Sequence, residues 1–192
     1  MKTSLLCLAA IGLTMATAKE IPSFEYPKQL KAPNFIKASD PRVWIGGRTS
    51  LNADGSSLDF DWEGVAFYMN VQSTSYVQVL MNTTGPMSRL YTQLSYDGGK
   101  NWFDQTSQWI SPRSGQNIYW AADNLNSAVN YTVRITSDLE PAFSGASGGG
   151  YFTFIGFNID GTATAATPQT RRIEIVGDSI SAGYGARGKY DV

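Results

Sequence analysis

From about residue 41 to 160, apolar side chains recur at every second position in short runs, and no stretch carries the spacing of an amphipathic helix. Leu58, Phe60 and Trp62 share one face of such a run, as do Val65, Phe67, Met69 and Val71, then Val77, Val79 and Met81. Leu90, Thr92, Leu94 and Tyr96 follow. Val129, Tyr131, Val133 and Ile135 make a further run, with Asn130, Thr132, Arg134 and Thr136 on its other face. This alternation buries one side of a strand and wets the other. Asp97-Gly98-Gly99 reads as a hairpin turn, because glycine supplies the positive φ that tight loops require. Tyr151 to Ile159 is apolar on both faces apart from Thr153, Gly156 and Asn158, so this strand is expected at the centre of a sheet. Many short strands at regular spacing predict a two-sheet antiparallel β-sandwich of the jelly-roll kind.

The flanks differ from this body. Residues 1–18 have the three parts of a secretory signal peptide: Lys2, an apolar middle from Leu5 to Met15, and the small-residue site Ala16-Thr17-Ala18, with cleavage expected after Ala18. A membrane anchor is the alternative, but the apolar stretch is short and interrupted by Gly12 and Thr14. The mature protein is therefore expected to be secreted and free of the membrane. Residues 19–40, with Pro22, Pro27 and Pro33, read as an extended segment lying on or beside the body. Residues 161–170 read as a linker by composition. Beyond it, Arg171 to Val176 is an apolar run of the kind buried in parallel sheets.

Chemistry is restricted by what the chain lacks. Its single cysteine, Cys7, lies in the signal segment, so the mature chain has no internal disulfide. It has no histidine. The usual zinc ligands are thus missing, and no metal or other cofactor is signalled. The formal charge is −1, and becomes −2 when residues 1–18 depart, because Lys2 is the one charged residue among them. No basic run tracks a phosphate backbone, so nucleic acid is not an expected partner.

The chemistry-bearing motif is Gly177-Asp178-Ser179-Ile180, set between Arg171 to Val176 and Ser181-Ala182-Gly183-Tyr184-Gly185. A serine delivered by a strand into a glycine-flanked turn is a way to present a nucleophile among backbone amides; a helix-capping serine is the plainer reading. The motif and its flanks resemble the first block of the GDSL or SGNH hydrolases. Upstream, Val43 to Arg48 and Phe60 to Val65 resemble the jelly-roll domain of carbohydrate esterase family 2, which joins such a sandwich to an SGNH domain. Val133 to Ile159, with Glu140 ahead of a glycine-rich stretch, resembles the closing part of that domain, although Ser137-Asp138-Leu139 departs from the pattern.

The resemblance implies an esterase that removes acetyl groups from plant polysaccharides such as xylan. It makes Ser179 the nucleophile and the Ser179 backbone N–H one oxyanion donor, and it leaves Asp178 a turn-shaping role. The family's other donors, a glycine and an asparagine, and its basic histidine belong to later blocks, expected beyond Val192. Losing the base of such a unit costs on the order of 10⁴ to 10⁶ in kcat, so the 192 residues alone are expected to be inactive. The expected partner is an acetylated polysaccharide or oligosaccharide, with the sandwich packed on the hydrolase domain of the longer protein. A non-catalytic carbohydrate-binding sandwich is the competing function.

The expected organisation is therefore a signal peptide (1–18), an extended segment (19–40), a jelly-roll sandwich (41–160), a linker (161–170), and the first β-strand of an incomplete α/β SGNH hydrolase domain (171–192). Among other residues, Arg48 reads as an ion-pair or domain-interface group more than a substrate ligand. Trp62 is in phase with the core, whereas Trp102, Trp109 and Trp120 lie near turns or strand edges where indoles can meet sugar. Asn82 and Asn130 head Asn-X-Thr triplets and are candidate glycosylation sites.

Overall fold

The computed structural model describes residues 34–61, 64–84, 89–137, 152–167 and 176–177, with residues 105–109 given by their backbone alone. Every regular element among them is a strand: β1 (Asn34–Lys37), β2 (Trp44–Gly46), β3 (Ser50–Leu51), β4 (Leu58–Phe60), β5 (Ala66–Gln72), β6 (Val77–Thr83), β7 (Leu90–Ser95), β8 (Phe103–Ile110), β9 (Gly115–Ala122), β10 (Tyr131–Ser137), β11 (Phe152–Ile159) and β12 (Thr162–Thr164). Two antiparallel sheets result. One runs β3-β4-β11-β6-β9, with β1 also on β11; the other runs β12-β5-β10-β7-β8, with β2 also on β5. The expected mainly-β sandwich is the observed fold.

The alternation in the sequence accounts for the core. Phe67, Met69 and Val71 point inward from the second sheet, facing Val77, Val79 and Met81 of the first, and all are buried. Aromatic rings join the layers: Phe67 stacks on Phe154 at 4.1 Å between centroids and meets Phe60 edge-on at 5.2 Å. Phe60 in turn stacks on Phe152. β11 is central, as its two-sided apolar sequence requires, flanked by β6 on one side and by β1 and β4 end to end on the other. Tyr96 departs from its expected phase; it lies past the end of β7 and is 57% exposed.

The sandwich draws in residues on both sides of the 41–160 span. Asn34–Lys37 pairs with β11 as β1, with Ile36 buried opposite Phe157. Thr162–Thr164, linker-like in composition, pairs with β5 as β12, with Ala163 turned inward and its two threonines outward. The Asn34 side-chain amide donates to the Gly161 carbonyl at 2.8 Å, tying the two segments together. Small and polar residues disguise such short edge strands, because half of each strand needs no apolar side chain. The β7–β8 connection, Tyr96 to Trp102, is longer than a tight turn. Gly98 and Gly99 do take positive φ (71° and 89°), and the Asp97 carboxylate organises the loop.

Candidate functional site

Ser179, its backbone N–H and Asp178 lie outside the described residues, as do Trp62 and Glu140. Upstream of the serine, Val176 and Gly177 are exposed, Val176 at 91%. Asn130 is exposed in the residue before β10. Asn82 is half-buried in the penultimate position of β6, between Thr153 and Gln116 of its neighbours. Arg48 is exposed after β2. Among the described residues, no three of His, Cys, Asp or Glu gather as a metal site would require.

What the described residues do assemble is a row across the outer face of the second sheet. Register places Trp44 of β2 opposite Tyr68 of β5, Tyr68 opposite Arg134 of β10, Arg134 opposite Gln93 of β7, and Gln93 opposite Asp104 of β8. Trp44, Tyr68, Arg134 and Gln93 each alternate with an inward apolar neighbour, whereas Asp104 follows the exposed Phe103, so the alternation that builds the core also builds most of the row. Trp44 and Tyr68 pack at 4.5 Å between centroids with their planes tilted by 50°. Trp102, from the β7–β8 loop, meets Tyr68 edge-on at 5.9 Å and covers the Arg134 guanidinium, whose carbon lies 4.0 Å from the ring centroid.

The polar half of the row is continuous. Arg134 Nη2 donates to Gln93 Oε1, and Gln93 Nε2 donates to Asp104 Oδ1 at 2.8 Å. The one cation and one anion of the row are thus bridged by a neutral amide. Arg134 Nε is buried without a hydrogen-bond partner. Beside the row, Thr132 Oγ1 donates to Asn70 Oδ1 at 2.7 Å, and Asn70 Nδ2 donates to the Ala165 carbonyl at 2.9 Å. Gly46 lies next to Trp44 on β2; a Cβ there would touch Trp44 Cη2 at 3.4 Å and Tyr68 Cε2 at 3.6 Å. The far edge of the indole therefore lies beside Gly46.

Sequence reasoning singled out Trp102 as a residue able to meet sugar and placed Arg134 on an outward face, but did not join them to Trp44 and Tyr68. The joining depends on register between strands distant in the chain. Trp120 lies in the other sheet, edge-on to Tyr76 at 5.5 Å. The Trp109 side chain is outside the described residues.

No family model and no curated protein matches the sequence. Solved structures do. A family two carbohydrate esterase from Cellvibrio japonicus matches with a TM-score of 0.60 and 23% identity, over 78% of this chain and 40% of that one. A family two carbohydrate esterase from Clostridium thermocellum, in complex with cellohexaose, matches with a TM-score of 0.59 and 23% identity, over 76% and 40%. An acetyl xylan esterase from the rumen bacterium Butyrivibrio proteoclasticus matches with a TM-score of 0.61 and 19% identity, over 83% and 41%. The chain thus has the fold that carbohydrate esterases of this kind carry over about two fifths of their length.

Proposed function

We propose that this chain belongs to a secreted serine esterase that removes acetyl groups from plant cell-wall polysaccharide, with Ser179 as nucleophile and its backbone N–H as an oxyanion donor. The observation that carries the reading is a coincidence of two independent features. The β-sandwich has a fold that carbohydrate esterases carry, and downstream of it the same chain carries the sequence motif Gly177-Asp178-Ser179-Ile180. The proposed substrate class is supported by the structural neighbours, one of which was solved with cellohexaose and another of which is an acetyl xylan esterase.

Acyl transfer by Ser179 needs a proton acceptor, and no histidine exists within these 192 residues to provide one. The acceptor is thus another residue type or belongs to sequence beyond Val192. Deacetylation breaks the ester C–O bond after serine attack on the acyl carbon, and water then releases acetate from the acyl-enzyme.

The experiment is acetate release from acetylated xylan, comparing wild type with Ser179→Ala. In the protein made from its complete coding sequence, the substitution lowers kcat by on the order of 10⁴ or more. The 192-residue chain and its Ser179→Ala variant both stay near background. Turnover above background that Ser179→Ala leaves unaffected refutes the reading.

A further inference from the structure

We propose that the outer face of the β2-β5-β10-β7-β8 sheet is a binding platform for a single, hydrated chain of neutral pyranose sugars such as xylan. Trp44, Tyr68 and Trp102 would stack on the sugar rings, and the Gln93–Asp104 end would meet the hydroxyls. The proposal is independent of the role of Ser179, since it concerns the sandwich alone.

The first support is the posture of the rings. Gly46 leaves room for the far edge of the Trp44 indole, which also packs against Tyr68 at 4.5 Å between centroids. Trp102 is held by the guanidinium against one of its faces. Trp44, Tyr68 and Trp102 are all half-buried yet remain accessible. Rings already fixed by one another lose little freedom when a ligand arrives, which is the condition for useful stacking affinity.

The second support is the chemistry of the remaining row. Arg134 and Asp104 offset each other through Gln93, so the row has no net charge to recognise an acidic or basic partner. Its edges carry amides, hydroxyls and a carboxylate, with Asp104, Gln72 and Thr164 exposed. Aromatic faces bordered by planar polar groups match a pyranose, which has apolar C–H faces and an equatorial rim of hydroxyls.

The geometry also selects the form of the ligand. The Trp44 and Tyr68 planes differ by 50°, and those of Tyr68 and Trp102 by 65°. No flat crystal surface can touch all three rings. A single chain whose successive sugars rotate can do so.

The test is isothermal titration of the full chain with xylohexaose, together with retention on insoluble xylan and on microcrystalline cellulose. Xylohexaose binds, xylan retains the protein, and crystalline cellulose does not. Trp44→Ala and Trp102→Ala each weaken binding by about tenfold. Gly46→Leu, which displaces the indole without removing it, also weakens binding, while Trp120→Ala in the other sheet does not. Thermal melting verifies that each variant is folded. Should a variant fail to fold, indole N–H shifts in wild type decide the matter: Trp44 and Trp102 respond to xylohexaose and Trp120 stays still. The proposal is overturned by absence of binding, by binding that leaves those signals unmoved, or by equal retention on crystalline cellulose. Absence of binding with a large loss of melting temperature in the tryptophan variants marks the face as one covered by protein, and equally overturns it.

Discussion

Gly156 of β11 lies directly beneath the carbonyl oxygen of Ile36 in β1, so close that a Cβ at this position would collide with it. The same Cβ would stand 2.8 Å from the tip of the Phe35 ring. Register between β11 and β6 shifts between Phe154 and Gly156, a bulge that lets β1 approach. Gly156→Ala is expected to destabilise the fold by about 1 to 3 kcal/mol, because the obstructing atom is backbone and cannot rotate away. Chemical denaturation measures this, and a loss of protection at the Ile36 and Ala38 amides in hydrogen exchange locates it at β1. An unchanged midpoint contradicts it.

The contact between the layers runs through Phe67, stacked on Phe154 and edge-on to Phe60. Phe67→Ala removes a fully buried ring from between two sheets. A loss of about 3 to 5 kcal/mol is expected. Phe67→Leu keeps most of the volume and is expected to cost markedly less. Equal losses for the two variants in urea denaturation would rule out cavity formation as the cause.

Arg134 and Trp102 form a contact whose two sides differ in origin, one from a central strand and the other from a loop. Arg134→Met retains an apolar stem under the indole while removing the charge and the bond to Gln93. The loss is expected to be about 1 kcal/mol, as for a partly buried cation–π pair, with broadening of the Trp102 indole signal in NMR as the loop loosens. A sharp, unshifted signal would show that the guanidinium does not hold this ring.

The central strands were readable because a half-buried strand writes its burial into alternate positions. Phe67, Met69 and Val71 are such a set, and so are Val133 and Ile135. β8 was not readable, since most of its residues are polar and it closes the edge of its sheet with one neighbour. β1 and β12 were hidden for a related reason. Their short sequences fit a proline-rich leader and a flexible linker, and only pairing with β11 and β5 makes them strands. The Gly177-Asp178-Ser179-Ile180 motif is contiguous in sequence and needs no register to be read, whereas the Trp44-Tyr68-Arg134-Gln93-Asp104 row does. Those five residues come from five strands, and the register that aligns them is set by the whole sandwich.

The β7–β8 loop is expected to lose stability in acid. The Asp97 carboxylate accepts from the Lys100 and Asn101 backbone amides at 3.0 and 2.9 Å, from the Asn101 side chain at 2.6 Å and from the Ser95 hydroxyl at 2.8 Å. These bonds, led by those from Asn101, hold its pKa far below the usual carboxylate range. The unfolded chain therefore takes up this proton at higher pH than the folded one, and stability falls as pH falls. The contribution is fully present above the unfolded value, about pH 4, and is lost as pH drops toward the depressed folded value. Asp97→Asn keeps one acceptor but cannot ionise. It is expected to melt below wild type at pH 7, with the gap narrowing steadily below about pH 4. Asp40, Asp54 and Asp160 also have lowered pKa values, but they are common to both proteins and cancel in the difference. A gap that stays constant from pH 7 into the acid range would mean that the substitution acts through loop packing and not through charge.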